Sequence, residues 1–127
     1  MATEMISLNS SEWKIMEKLW EESPRTMTQL LHLLKEEVGW SKSTVNTLLA
    51  RMLEKDIIGF DEGTKAKLYY PKIQRDDAAL AETTSLLDRV YKGSVSLMMN
   101  TLVKKQALSD EDIRKLQELL DQAKKDQ

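Results

Sequence analysis

Six side chains that can bind a polar, negatively charged surface lie close together: Lys42, Ser43, Thr44, Asn46, Thr47 and Arg51. An asparagine amide can pair with adenine, a threonine methyl can contact the thymine methyl, and a lysine can reach guanine or a phosphate. The arginine can bind a phosphate or form a salt bridge with Glu54 or another acid. These residue types predict contacts with double-stranded DNA. The alternative is that they are ordinary solvated side chains.

One helix is predicted to present these side chains. Ser41 is a good N-cap, and Trp40 and Val45 occupy staple positions on either side of it. The apolar positions recur with helical spacing and form a single face: Val45, Leu48, Leu49, Met52 and Leu53. The opposite face and its flanks carry the polar set, so the helix has the composition of a DNA recognition helix.

Two helices are predicted upstream, each opened by a capping box: Asn9 with Glu12, and Thr26 with Gln29. Gly39 can adopt the left-handed conformation that ends the second helix. Only Gly39 and Trp40 then precede the Ser41 cap, and so short a link favours a helix-turn-helix arrangement. Thr26 and Thr28 are predicted to offer hydroxyl and free N–H groups to a phosphate.

A hairpin is predicted after the third helix. The runs 57–60 and 68–70 are β-prone, residues 61–67 are expected to form the turn, and Pro71 closes the second run. Three helices followed by a hairpin predict a winged-helix domain over residues 1–73. Lys65 and Lys67 either approach the DNA backbone from the wing or are simply solvated. The whole chain is predicted to be mainly α-helical.

Residues 74–127 are predicted to form three thin amphipathic helices, the last capped by Ser109. About fifty residues in such helices rarely form a stable core alone. We therefore expect this segment to be a dimerisation domain, in which the apolar face of one chain covers that of a second copy. The predicted dimerisation residues are Leu80, Leu87, Tyr91, Val95, Met98, Met99, Leu102, Ile113, Leu116 and Leu120.

The net charge of −2 is unevenly distributed. Residues 1–41 carry a net −3, whereas residues 42–72, which hold the candidate helix and hairpin, carry +2. This modest excess predicts modest, salt-sensitive non-specific affinity for DNA.

Several classes of function are disfavoured. The chain has no cysteine, which excludes disulfides, thiolate metal sites and cysteine nucleophiles. The single histidine, His32, has no partner ligand in a recognisable spacing, and no carboxylate dyad or phosphate-binding loop occurs. We expect no metal, no cofactor and no enzymatic activity. The apolar runs are too short to span a membrane, and residues 1–5 lack a signal pattern, so a cytoplasmic protein is expected.

Several motifs together resemble the bacterial penicillinase-repressor family (BlaI/MecI/CopY type). They are Leu8–Met16, the Leu19-Trp20 pair with Pro24, the Trp40-Ser41-x-x-Thr44-Val45-x-Thr47-Leu48-Leu49-x-Arg51 helix, Tyr69-Tyr70-Pro71 and Val90–Gly93. The resemblance covers roughly residues 6–121. It implies a winged helix that binds a palindromic operator, a helical dimerisation domain, and repression of β-lactam resistance or, in one branch, copper export.

The chain departs from this family pattern at two places. The copper branch carries Cys-x-Cys pairs, so cysteine-based copper sensing is excluded here. In the β-lactam branch the resemblance implies inactivation by proteolysis in the dimerisation domain, at an Asn-Phe bond, after a sensor-linked protease is triggered. Asn100 and Thr101 occupy the matching positions, with the aromatic residue lost.

The residue patterns therefore predict a dimeric DNA-binding protein, and the resemblance implies that it is a transcriptional repressor of a palindromic operator. The resemblance also implies a sensor-linked protease as a further partner. The alternative is a winged-helix module that binds protein and has no sequence-specific DNA binding.

Overall fold

The structure, a computed structural model, describes residues 6–127. The signal pattern considered at residues 1–5 lies outside this range. Within it the chain forms six helices and one two-stranded antiparallel hairpin, as the predicted mainly helical fold class requires. Their order is α1 Ser10–Glu21, α2 Met27–Val38, α3 Lys42–Glu54, β1 Ile58–Glu62, β2 Lys67–Pro71, α4 Arg75–Tyr91, α5 Val95–Lys104 and α6 Asp110–Lys125. None of these helices is long and apolar enough to cross a lipid bilayer.

The helices begin where the capping residues predict. Asn9, Thr26 and Ser109 each form a complete capping box with the residue three positions later. Ser41 caps α3 by accepting a hydrogen bond from the backbone N–H of Thr44. Gly39 ends α2 with φ of +72°, a left-handed conformation that glycine adopts without the strain a Cβ would add.

Contacts along the chain divide it into two compact units, one extending to Thr83 and the other beginning at Thr84. The core of the first unit is formed where α1, α2 and α3 pack together, and the hairpin covers part of it. Its most deeply buried apolar side chains are Ile15, Met16, Leu19, Leu30, Leu34, Val45, Leu49, Met52 and Ile58. Removing so much apolar surface from water is the main stabilising contribution to this unit.

The hairpin extends further than the sequence predicts. β1 continues through Asp61 and Glu62, and β2 begins at Lys67, so residues 63–66 alone form the turn. The prediction that all of residues 61–67 form the turn is therefore wrong. The strands continue because ladder hydrogen bonds join backbone groups, whereas polar side chains at the exposed end of a hairpin can point into solvent.

In the second unit, residues 84–127, no side chain is buried. Large apolar side chains are instead exposed along its helices, among them Val90, Val95, Val103, Leu119 and Leu120. These apolar side chains face water in the single chain, so only contact with a partner surface can bury them.

Candidate nucleic-acid interface

Helix α3 is divided into a buried face and an exposed polar face. Val45 and Met52 are fully buried, Leu48 and Leu49 almost so. These residues anchor the helix against the core of the first unit. All six members of the predicted polar set lie on the exposed surface of α3.

The centre of the polar face is free to bind a partner. Within residues 6–127, the side chains of Ser43, Asn46 and Thr47 form no hydrogen bond with any other group of the chain. Thr44 differs, because its hydroxyl lies 3.2 Å from that of Ser41 at the N-cap. The unpaired amide and hydroxyl groups are therefore available for hydrogen bonds to another molecule.

Two cations flank this face. Lys42 begins the helix, Arg51 lies in its last turn, and both are exposed. In the part of the chain that the structure describes, Arg51 forms no salt bridge, with Glu54 or any other acid. Its guanidinium is consequently available to an external anion.

The start of α2 uses one of its two candidate threonines structurally. The Thr26 hydroxyl accepts a hydrogen bond from the Gln29 N–H at 3.1 Å, and the Thr26 N–H donates to the Gln29 side chain at 2.8 Å. Thr28 is exposed in the first turn. First-turn N–H groups of a helix have no intrahelical acceptor, so this end of α2 retains donors for an anion.

The wing presents its two lysines differently. Lys65 lies in the turn and is exposed, and the Gly63 N–H closes that turn by donating to the Ala66 carbonyl at 3.0 Å. The Lys67 ammonium lies 4.5 Å from the centroid of the Phe60 ring, an attractive cation–π geometry. Phe60 thereby restrains Lys67, whereas Lys65 has no cation–π contact within residues 6–127.

Arg25 is a positioning residue that sequence reasoning missed. Its backbone pairs with Tyr69 of β2 through two hydrogen bonds, of 3.0 and 2.8 Å, while its Nε donates to the Lys18 carbonyl near the end of α1. Arg25 therefore connects the wing to the segment that leads into α2. Burial of the Tyr69 ring beside it raises the pKa of the Tyr69 hydroxyl. No local pattern signals this pairing, because it joins residues far apart in the chain.

No group of His, Cys, Asp and Glu side chains among the described residues could hold a metal ion. The chemistry available to the exposed surface of α3 is hydrogen bonding and charge attraction. That chemistry suits recognition of a polyanion.

A comparison with known families shows the class of protein to which the chain belongs. The family model described as Penicillinase repressor matches residues 8–122. The chain belongs to the penicillinase repressor family. The family is one of transcriptional repressors rather than enzymes, so the predicted family and the prediction of no enzymatic activity are both confirmed.

Relatives match along nearly the whole chain. The methicillin resistance regulatory protein MecI of Staphylococcus aureus strain N315 is 24% identical over 120 residues, which are 94% of this chain and 98% of that protein. The penicillinase repressor of Bacillus licheniformis is 25% identical over 117 residues, covering 92% of this chain and 91% of the relative.

A solved structure supports the fold. The solution structure of the DNA-binding domain of the repressor BlaI is similar with a TM-score of 0.52 and 22% identity, over 56% of this chain and 87% of that one. This likeness confirms the winged helix predicted from three helices and a hairpin.

Proposed function

We propose that this repressor acts as a homodimer that binds a palindromic operator in the cytoplasm. In this proposal residues 1–73 bind DNA and residues 74–127 dimerise. The observation that carries it is the exposed surface of α3, whose unpaired polar side chains begin within the first turn of a helix held firmly by its buried face. In helix-turn-helix proteins, the N-terminal residues of such a helix reach the base edges.

The side chains of the interface divide between base reading and backbone contact. Asn46 pairs with adenine, and Thr47 and Thr44 contact thymine through their methyl groups. Lys42 contacts guanine or phosphate, and Ser43 completes the base-facing set. The backbone contacts come from Arg51, Thr26, Thr28, Lys65 and Lys67. This set is small, so a single domain has limited affinity.

Dimerisation supplies the remaining affinity. Among the predicted dimerisation residues, Leu80 is 59% exposed, Val95 57%, Ile113 42% and Leu120 65%. The others are half-buried: Leu87, Tyr91, Met98, Met99, Leu102 and Leu116. A second copy would cover these side chains and place two recognition helices on one DNA. The affinity of two linked domains for one DNA exceeds the affinity of either domain alone by about a hundredfold or more.

The regulated genes are proposed from the relatives. The names of two relatives refer to methicillin resistance and to penicillinase, so we assign this repressor to control of β-lactam resistance genes. We propose that a sensor-linked protease inactivates it between Asn100 and Thr101, two exposed residues of α5. This peptide bond lies inside α5, where the Thr101 hydroxyl also donates to the Leu97 carbonyl, so cleavage there requires α5 to open locally.

The operator proposal is tested by selecting random-sequence duplexes with the intact chain at physiological salt, followed by footprinting of the recovered sites. We expect a protected palindrome with half-sites about 34 Å apart or a multiple of that spacing. Recovery of no common sequence, or of an isolated half-site, would refute it. A gel shift on random duplex at low salt provides a control, because a pure protein-interaction module shows no binding.

The cleavage proposal has a separate test. Intact-mass measurement of the repressor from cells treated with a β-lactam should show two fragments divided after Asn100. A full-length chain during derepression would show that inactivation proceeds without cleavage.

A further inference from the structure

The side chain of Arg25 is hydrogen-bonded to the last turn of α1. Its Nε–H donates to the Lys18 carbonyl at 3.0 Å, and the backbone N–H of Glu22 donates to the same carbonyl at 3.2 Å. The last carbonyls of a helix have no acceptor role within the helix, so an arginine that follows the helix can donate to one of them. The Arg25 side chain is only 15% exposed. Most of it is therefore engaged within the protein.

The backbone of Arg25 is hydrogen-bonded to the wing. Its N–H donates to the Tyr69 carbonyl at 3.0 Å, and its carbonyl accepts the Tyr69 N–H at 2.8 Å. These two bonds form an isolated bridge outside the β1–β2 hairpin. Two hydrogen bonds between one pair of residues set their separation but leave the two segments able to rotate about the pair. The side-chain bond of Arg25 to α1 adds a contact with a third element and restricts that rotation.

This junction lies between the two elements that are proposed to contact the DNA backbone. Arg25 directly precedes Thr26, the N-cap of α2. Tyr69 lies two residues after Lys67 in β2, a separation of about 7 Å along a strand. The Tyr69 ring centroid lies 6.0 Å from that of Phe60, whose ring holds the Lys67 ammonium at 4.5 Å. Direct contacts therefore lead from Arg25 to the start of α2 on one side and to a wing cation on the other.

We propose that the bond from Arg25 Nε–H to α1 holds the start of α2 and the wing in one arrangement, so that both contact the phosphates of one DNA. Arg25 is a positioning residue: it acts through Thr28 and the wing lysines, Lys65 and Lys67, and does not itself touch DNA. All of these residues lie within the first compact unit. The inference rests on the proposed DNA-binding function, because the arrangement matters only if both elements bind one DNA backbone.

A direct phosphate contact by Arg25 is the alternative role, and the two roles need different atoms. Positioning requires an N–H donor at the Nε position, whereas a phosphate contact requires the positive charge. Glutamine places its side-chain NH₂ group as many bonds from Cα as arginine places Nε, without the charge. Lysine keeps the charge but has a methylene group at that position. Arg25→Gln and Arg25→Lys therefore distinguish positioning from phosphate contact.

The test measures binding of the intact chain to a single half-site and to a random duplex at several salt concentrations. We expect Arg25→Lys to weaken binding to both duplexes by about fivefold, a loss of the size of one hydrogen bond, and to reduce the salt slope by about one. Arg25→Gln should bind within about twofold of the wild type. Glu22→Gln is the matched control, because it removes only the 3.8 Å ion pair with Arg25 and should not weaken binding.

Amide hydrogen exchange, followed by NMR, reports on the junction itself. The Tyr69 N–H, which donates to the Arg25 carbonyl, should exchange faster in Arg25→Lys than in the wild type and at the wild-type rate in Arg25→Gln. The N–H of Met16, a fully buried residue of α1, should be unchanged in both variants, which confirms that the unit is folded. Should Arg25→Lys fail to fold, Arg25→Met, which has a methyl group at the Nε position, takes its place in both measurements.

Any of three results would overturn the inference. Weak binding by Arg25→Gln with full binding by Arg25→Lys would assign Arg25 a direct phosphate contact. Equal losses in the two variants would show that the donor at the Nε position is not what matters. Wild-type binding by both would show that the bond to α1 has no effect on the DNA interface. A failure of the proposed function is distinct from all three, because the wild-type chain would then bind neither duplex, even at low salt.

Discussion

The ammonium of Lys55 lies 2.7 Å from the Oε1 atom of Glu12, a carboxylate that is 2% exposed. Lys55, at the C-terminus of α3, also donates to the Ser7 carbonyl at 2.6 Å. The same Glu12 oxygen accepts the Asn9 N–H in the capping box of α1. One buried carboxylate thus connects the start of α1 to the end of the proposed recognition helix. This contact holds α3 at the end opposite to its base-reading residues.

Lys55→Met should destabilise the first unit. Removing one partner of a buried ion pair leaves an uncompensated charge and costs about 3–5 kcal/mol, and because Lys55 is 39% exposed we expect about 2 kcal/mol. Urea denaturation followed by tryptophan fluorescence measures the change. Lys72→Met serves as the control, since its partner Asp56 is exposed and the loss should be smaller. Equal stabilities for Lys55→Met and the wild type would contradict a role for the pair.

Substitutions in α3 and in the wing should have different effects on DNA binding. Asn46→Ala removes the proposed base contact, so it should cost about 1–3 kcal/mol on the selected operator and relax preference at one base position. Lys65→Ala removes the proposed phosphate contact, so it should weaken binding to all sequences alike and reduce the salt slope by about one. Titrations of operator and random duplex at several salt concentrations distinguish a loss of sequence preference from a uniform loss of affinity. The same pattern for both variants would rule out this division of roles.

Leu120→Lys should weaken dimerisation without unfolding α6. Leu120 is 65% exposed in the single chain, so the charge meets no buried surface until a partner covers it. We expect a shift toward monomer in sedimentation equilibrium and a parallel loss of operator affinity. Gln122→Lys is the matched control, because Gln122 is exposed on the opposite face of α6 and, among residues 6–127, its side chain hydrogen-bonds to Asp126 alone. A dimer unaffected by Leu120→Lys would exclude this face from the interface.

The pair of Glu17 and Arg75 should respond to acid in a defined direction. Arg75 lowers the pKa of Glu17 below its ordinary value of 4.5, so the pair contributes stability above that pH and loses it as the pH falls through the lowered pKa. The difference in unfolding midpoint between the wild type and Glu17→Gln should therefore be constant near neutrality and shrink below about pH 4.5. Urea denaturation across this range measures it. A difference that grows on acidification would contradict the assignment.

The starts and ends of the helices could be predicted from the sequence because capping is local. Asn9, Thr26 and Ser41 satisfy backbone groups within their own first turns, and Gly39 supplies the left-handed residue that ends α2. The polar face of α3 could also be predicted from the sequence, because the apolar residues recur with helical periodicity. Its DNA contacts stay predictions, but the exposure and freedom of its side chains agree with the sequence pattern.

The tertiary structure alone decided how these elements are held together. Glu12 meets Lys55, Arg75 meets Glu17, and Arg25 pairs with Tyr69, each across a long separation in the chain. In the sequence each of these charged residues looks like a solvated surface residue. The packing of the helices and the hairpin determines which distant residue it contacts. Prediction of the wing from the sequence fails for the same reason. Asp61 and Glu62 are residue types typical of turns, yet they belong to β1 and pair with β2. Local chemistry determined the elements, and the packing of distant segments determined which charges became structural.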